Sequence, residues 1–247
     1  MAEVAGSRHF AVTAWPDAVL RPASGNAFEN TVEQLATAIR LGVIANGERL
    51  PPERLLAEQL GVSRSTLRDA IAALRDSGLV DTRRGRGGGT RVTYAAAPPA
   101  VTGRSTVRSG AAMEDALNFR RVVEPGAAWL AATRPLAADQ RRWLADCLAA
   151  VDEAPDPAAH RVADSRLHLA VATLSGSPML IEAVTRSQSA LHEMLLVIPV
   201  LTRNIDHSND QHRRIVTAVL SGDADRARLD MEQHCDATSA LLRGLIG

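Results

Sequence analysis

The sequence predicts a mainly α protein in two parts. An N-terminal domain of three helices and a small β-hairpin precedes a larger C-terminal all-α antiparallel helical bundle. Three observations carry this. Aromatic residues make up 3% of the 247 positions while apolar residues reach 46%, and a chain dominated by Ala, Leu and Arg favours helices over long strands. Residues 95–112, AAAPPAVTGRSTVRSGAA, are small, Pro-bearing and nearly free of large apolar side chains, as expected of a linker with nothing to bury. After Gly78 the apolar period changes from helical to two, which marks a hairpin.

Residues 1–27 show no sustained period and read as a flexible extension. In the domain that follows, residues 28–94, the stretch Asn30 to Leu41 places Val32, Leu35, Ala36 and Ile39 at helical spacing and stops at Gly42, a residue suited to a left-handed cap. Pro52 can occupy the first turn of a short second helix whose Leu55, Leu56 and Leu60 lead to Gly61. Ser63 is a good N-cap for a third helix, where Leu67, Ala70, Ile71 and Leu74 recur at i, i+3, i+4 and i+7. Two helices joined by a glycine-containing turn make a helix-turn-helix. Val80 and Thr82 then face Thr90, Val92 and Tyr94 across a turn containing Arg83, Arg84, Gly85 and Arg86, so the hairpin reads as a basic wing.

Arg64, Arg68 and Arg75 fall in one sector of the third helix, beside its buried stripe and next to Ser65. A helix N-terminus carrying Ser63, Arg64, Ser65, Thr66 and Arg68 offers phosphate donors and guanidinium forks for guanine edges in a major groove. A solvated arginine face is the alternative for one helix alone, and the adjoining basic wing favours DNA. Arg54, at the start of the second helix, sits where such a motif crosses the backbone.

The stretch LPPERLLAEQLGVSRSTLRDAIAALRDSGLVDTRRGRGGGTRV resembles the winged helix-turn-helix of GntR-type bacterial transcription regulators across almost the entire small domain. The resemblance implies major-groove contacts from Arg54, Arg64 and Arg68, phosphate contacts from Ser63, Ser65 and Thr66, and a wing that approaches the minor groove at Gly85 with Arg84 beside it. Pro52 stands where that family often has Ser, so no hydroxyl contact is assigned there.

From Glu114 onward, in the domain 113–247, six helices are expected: Glu114 to Arg134, Ala137 to Glu153, Asp156 to Leu174, Pro178 to Val197, Asp206 to Leu220 and Asp223 to Leu245. Their short connections imply antiparallel neighbours. Asp164 and His168 share one face of the third of these, His212 lies early in the fifth, and His234 points inward from the sixth. Three imidazoles and a carboxylate could converge on a divalent transition metal, and each could equally be a satisfied structural residue. Spacing does not decide between them. His207 reads as a solvated loop residue and His192 as a pocket wall or satisfied core residue. Arg120 could form a two-bonded pair with a ligand carboxylate or a salt bridge to another helix.

RRVVEP, DSRLH, QHRRIVTAVLSGDADRA and MEQH, in the first, third, fifth and sixth helices, resemble the FCD ligand-binding domain that accompanies this winged helix in one GntR subclass. The resemblance implies that Asp164, His168, His212 and His234 hold an ion, with zinc ahead of nickel or manganese, and that a small carboxylate completes its coordination. Leu167 replaces a common Phe, and SGSP at 175–178 lacks the usual Asn. A metal-free branch that takes fatty acyl-CoA is the alternative, and retention of all four ligand types argues against it.

The formal charge is zero, so any nucleic-acid signal is local. Residues 28–94 hold ten Arg against eight acids, and residues 111–247 fourteen against eighteen. Cys147 and Cys235 are far apart without CxxC spacing, which fits buried thiols in a reducing compartment. No run of about 18 apolar residues suggests a membrane span, and a cytoplasmic location is expected. The expected function is a ligand-responsive repressor, homodimeric on a palindromic double-stranded operator. A metal-dependent enzyme would need a general base that no hydrolytic motif supplies, and an architectural DNA protein would leave the bundle without a purpose.

Overall fold

The computed structural model describes residues 20, 26–83, 88–94, 110–198 and 201–246. They fall into two compact units, one up to Tyr94 and one from Gly110 onward. Most of the expected N-terminal extension and linker, and the wing-tip residues Arg84 and Gly85, lie outside the described residues.

In the first unit, α1 (Ala27–Arg40) begins three residues before the expected start, because the Asn26 side chain accepts from the backbone N–H groups of Phe28 and Glu29. Helix α2 (Glu53–Leu60) ends at Gly61, whose φ of 65° is the left-handed conformation that closes a helix. Ser63 caps α3 (Arg64–Asp76), its Oγ accepting from the Thr66 N–H at 3.1 Å. Leu67, Ala70, Ile71 and Leu74 are buried as the period requires, and each of the larger three contributes about 1.5–3 kcal/mol by leaving water. Leu55 departs from the expected α2 stripe. It is 42% exposed, one residue off the face that Leu56 and Leu60 bury.

Strands β1 (Val80–Arg83) and β2 (Gly89–Val92) pair antiparallel with Val80 opposite Val92 and Thr82 opposite Thr90. The free edge of β2 is covered by the chain before α2. Leu50 N–H donates to Thr90 O, Gly47 N–H to Val92 O, and Val92 N–H to Glu48 O, each at 2.9 Å, which satisfies an edge that would otherwise stay open.

The second unit is an all-α bundle of α4 (Gly110–Thr133), α5 (Ala138–Asp152), α6 (Pro157–Leu174), α7 (Pro178–Leu195), α8 (Thr202–Ser221) and α9 (Ala224–Ile246). Helix α4 packs against α9, α7, α6 and α8. It begins four residues before the expected start, taking Gly110 to Ala112 from the expected linker. Helix α6 is buried on most of its circumference through Leu167, Leu169, Ala170, Val171 and Leu174, as a central helix must be. Helix α8 also begins earlier than expected, so His207 lies on a helix rather than in a loop, though exposed. Both cysteines are buried free thiols. No described helix is long and apolar enough to cross a membrane.

Candidate metal centre and nucleic-acid interface

On the first unit, the cap of α3 and the start of α2 present their polar groups together. Arg68 Nε donates to Glu53 Oε2 at 2.8 Å, and an Arg64 guanidinium nitrogen lies 3.9 Å from the same oxygen. Arg54 Nη1 pairs with Glu58 Oε1 at 2.9 Å. Glu53 is therefore a hub that aligns two arginines of α3 from the first turn of α2, and sequence reasoning missed it. The carboxylate lies one residue before Arg54, and only the fold brings it beside Arg68, fifteen positions on.

The hydroxyls behave differently from one another. Ser63 Oγ spends its acceptor on the cap and lies 2.7 Å from Ser65 Oγ and 2.8 Å from Thr66 Oγ1. Arg54, Ser63, Arg64, Ser65 and Arg68 are exposed and Thr66 is half-buried. Outward guanidiniums and hydroxyls around a helix N-terminus suit phosphates and base edges.

In the bundle, the residues singled out in the sequence gather at one point. His168 from α6, His212 from α8 and His234 from α9 each present a ring nitrogen, and these lie within 4.8 Å of one another. Ring centroids are 4.6 to 5.4 Å apart. Asp164, one turn before His168, meets the cluster at His212, with Oδ1 3.3 Å from Nε2. All three imidazoles are fully buried. Nε2 of His168 and Nδ1 of His212 have no polar partner among the described residues, and the approaches of Glu124 to His168 Nδ1 and of Asp164 to His212 Nε2 are charge contacts without hydrogen-bond geometry. Buried nitrogens left without partners need an explanation, and a cation between neutral imidazoles supplies one. The donor set fits a borderline ion such as zinc.

Two side chains outside the expected set orient these rings. Glu124 of α4 places Oε2 2.8 Å from His168 Nδ1, and His234 Nδ1 lies 3.1 Å from Gln211 Oε1. Each partner sits against Nδ1 of its ring, on the side away from Nε2, as polar groups behind ligating histidines do. Oε1 of Glu124 accepts from Arg120 Nε, Ser187 Oγ and Gln188 Nε2 at 3.2, 3.0 and 2.8 Å. Burial alone would raise the Glu124 carboxyl, but the Arg120 guanidinium, the His168 ring and these donors outweigh it and hold it at about 2. Burial pushes His212 down to about 3 against the pull of Asp164. Burial, then the neighbouring His212, holds His234 well below its ordinary range.

Arg120 departs from the expected salt bridge to another helix, because Glu124 lies one turn on in the same helix. Nε pairs with Glu124 inside its own helix, and the two terminal nitrogens stay buried without partners. The side chain lines a cavity of about 90 Å³, together with Asp164, His234, His160 and Arg161. His192 is buried, as expected of a core residue.

Comparison with known proteins accounts for both halves. The family described as "Bacterial regulatory proteins, gntR family" matches residues 28–92, and the FCD domain matches residues 115–237. A Mycobacterium gastri protein provisionally named HTH-type transcriptional regulator RmpR is 34% identical over 210 residues, 82% of this chain and 75% of its own length. The chain is a GntR-family regulatory protein with an FCD domain. The Uxu operon transcriptional regulator of Escherichia coli K12 is 30% identical over 212 residues, 77% of this chain and 76% of that one. An E. coli K12 protein provisionally named the L-lactate dehydrogenase operon regulatory protein is 34% identical over 202 residues, 76% and 75% of the two chains. The solved structure of E. coli McbR/YncC shares the fold, with a TM-score of 0.55 at 16% identity over 89% of this chain and 98% of that one. Within this GntR-family chain the exposed arginines lie in the gntR match. The histidine cluster, Arg120 and Glu124 lie in the FCD domain.

Proposed function

We propose that this transcription regulator is a repressor that binds a palindromic operator as a homodimer and is released by a small carboxylate sensed through a divalent transition metal. Asp164, His168, His212 and His234 would hold the ion, zinc ahead of nickel or manganese, which would supply a positive charge for an anionic ligand. The observation that carries the reading is the buried imidazole cluster with partnerless nitrogens, opening through Asp164 and His234 onto the cavity where Arg120 presents two unused donors. A planar guanidinium with two free N–H groups matches a carboxylate. The name of the relative linked to an L-lactate dehydrogenase operon supports a small hydroxy acid. The cavity volume, about 90 Å³, is well under the several hundred Å³ of sites that swallow drug-sized ligands, which weighs against acyl-CoA. One winged domain reads a half-site, so a twofold dimer matches a palindrome. Effector binding would favour one arrangement of the two reading heads and thereby alter operator affinity.

The test is elemental analysis of untagged protein purified without chelator, beside a His212→Ala variant, followed by fluorescence anisotropy on an operator selected from random sequence. About one equivalent of metal per chain, lost in the variant, and operator release by a hydroxy acid are expected. A chain that takes up no zinc, yet leaves its operator on adding oleoyl-CoA, would refute the metal and carboxylate reading.

A further inference from the structure

We infer that the outer face of α4 is the seam of the homodimer and packs antiparallel against α4 of a second copy of this chain; the inference deepens the homodimer reading above by giving it a surface and a register. Among the large apolar side chains that stay exposed in the bundle, three share this helix: Phe119 at 40%, Val122 at 74% and Trp129 at 40%. With Asp115, Gly126 and Thr133 they recur at alternating steps of four and three residues. That spacing sets a row of side chains along one line of a helix, as a helix that meets another along its length requires. The opposite side of α4 is buried in the bundle through Leu117, Arg120, Glu124, Ala128 and Ala131, so the row faces away from the core.

The row is complementary to its own image. Turned about a twofold axis at the level of Glu124, Phe119 comes opposite Trp129 of the second copy, and Val122 comes opposite Gly126. Two aromatic pairs then flank a centre where Val122 enters the gap left by a glycine. A side chain at Gly126 would meet no other described element within 4 Å, so the position is open to a knob from outside. Charge agrees with this direction. Asp115 at one end of the row and Arg134 just beyond the other have no charged partner among the described residues. An antiparallel pair brings each Asp115 beside Arg134 of the other copy and closes both ends with opposite charges, whereas a parallel pair would set Asp115 against Asp115. A surface that matches its own rotated image closes at two copies, as a reader of palindromes requires. The buried side of the same helix carries Arg120 and Glu124, so the helix proposed to meet the effector is also the one that meets the second copy.

The experiment is sedimentation velocity of the full-length chain over a range of concentrations, beside Val122→Glu. The wild-type chain should run as a dimer. Val122→Glu, with unchanged far-UV circular dichroism, should dissociate at about a hundredfold higher concentration, since the twofold places each new charge in the seam twice. The register is read by oxidation of cysteine variants. Val122→Cys and Gly126→Cys chains, co-expressed, should cross-link to each other, and neither should cross-link to itself, because the two native thiols are buried. A Val122→Glu chain that stays dimeric at the wild-type concentration overturns the seam and leaves the homodimer standing. Cross-linking of Val122→Cys to itself overturns the antiparallel register. A wild-type chain that is monomeric throughout overturns both the seam and the homodimer reading.

Discussion

Oε2 of Glu124 lies 2.8 Å from Nδ1 of His168, so a buried carboxylate on α4 meets one ring nitrogen of an imidazole on α6 and leaves the other away from it. The same carboxylate neutralises Arg120 and accepts from two side chains of α7. Glu124→Gln should keep the shape but lose both the charge and the aim, and zinc affinity should fall about 10- to 100-fold. Competition against a chromophoric chelator measures this. Glu124→Ala should destabilise the metal-free chain by about 3–5 kcal/mol, because it leaves the Arg120 charge buried and uncompensated. Unchanged zinc affinity in Glu124→Gln would remove the carboxylate from the metal's support.

The metal-free bundle should lose stability as the pH falls below neutrality. His212 drops from 6.5 to about 3 on burial, so the unfolded chain binds a proton that the folded one refuses. The corresponding stability is complete above pH 6.5 and is lost as pH falls toward 3. Glu124, lowered from 4.5 to about 2, adds a second loss that starts below pH 4.5. Melting temperatures of chelator-treated protein between pH 8 and 4 should decline, and a His212→Asn variant should decline less. Parallel curves for the two proteins would contradict the assignment.

Arg64→Ala and Arg68→Ala should each weaken operator binding roughly ten- to a hundredfold. Glu53→Gln should act in the opposite sense on unrelated DNA. With the carboxylate gone, both guanidiniums are free to meet any phosphate, so non-specific affinity rises and the ratio of operator to unrelated DNA falls. Anisotropy titrations on both DNAs at two salt concentrations check this, and an unchanged ratio counts against the hub.

Ser63 combines a cap with an exposed place beside Arg64 and Arg68, the arginines proposed to meet DNA. Ser63→Ala should cost about 1 kcal/mol of stability through the lost cap. Ser63→Asp keeps an N-cap acceptor and should restore that stability, while its negative charge among the phosphates should abolish operator binding. Thermal unfolding and anisotropy on the same two variants separate the roles.

The α3 stripe, the Ser63 cap and the existence of the hairpin were legible because each depends on neighbours within a few residues. The three histidines were legible as residue types on helix faces, and their meeting within 4.8 Å was not, since it depends on how α6, α8 and α9 pack. Glu124 was invisible as a site residue for the same reason. In the sequence it is an acid in RRVVEP, four positions after Arg120, and its contacts with His168 and Gln188 span different helices. The early start of α8 was missed because its N-cap position is Leu201, whose side chain cannot accept from the first turn and so announces no helix. Leu55 was misplaced because a two-turn helix has too few residues to define its buried face.

The mutual cancellation of Arg120 and Glu124 bears on how the two ligands of the proposed sensor would bind. That pair contributes no net charge, His212 and His234 are held neutral, and the two positive charges of a divalent ion would add to the Arg161 guanidinium beside the single Asp164 carboxylate. A dry interior penalises the surplus, and a carboxylate effector would reduce it. Ion and effector would then each raise the other's affinity by the same factor. In a cell short of metal the regulator would be insensitive to its metabolite, and in a cell rich in the metabolite it would hold its metal more tightly.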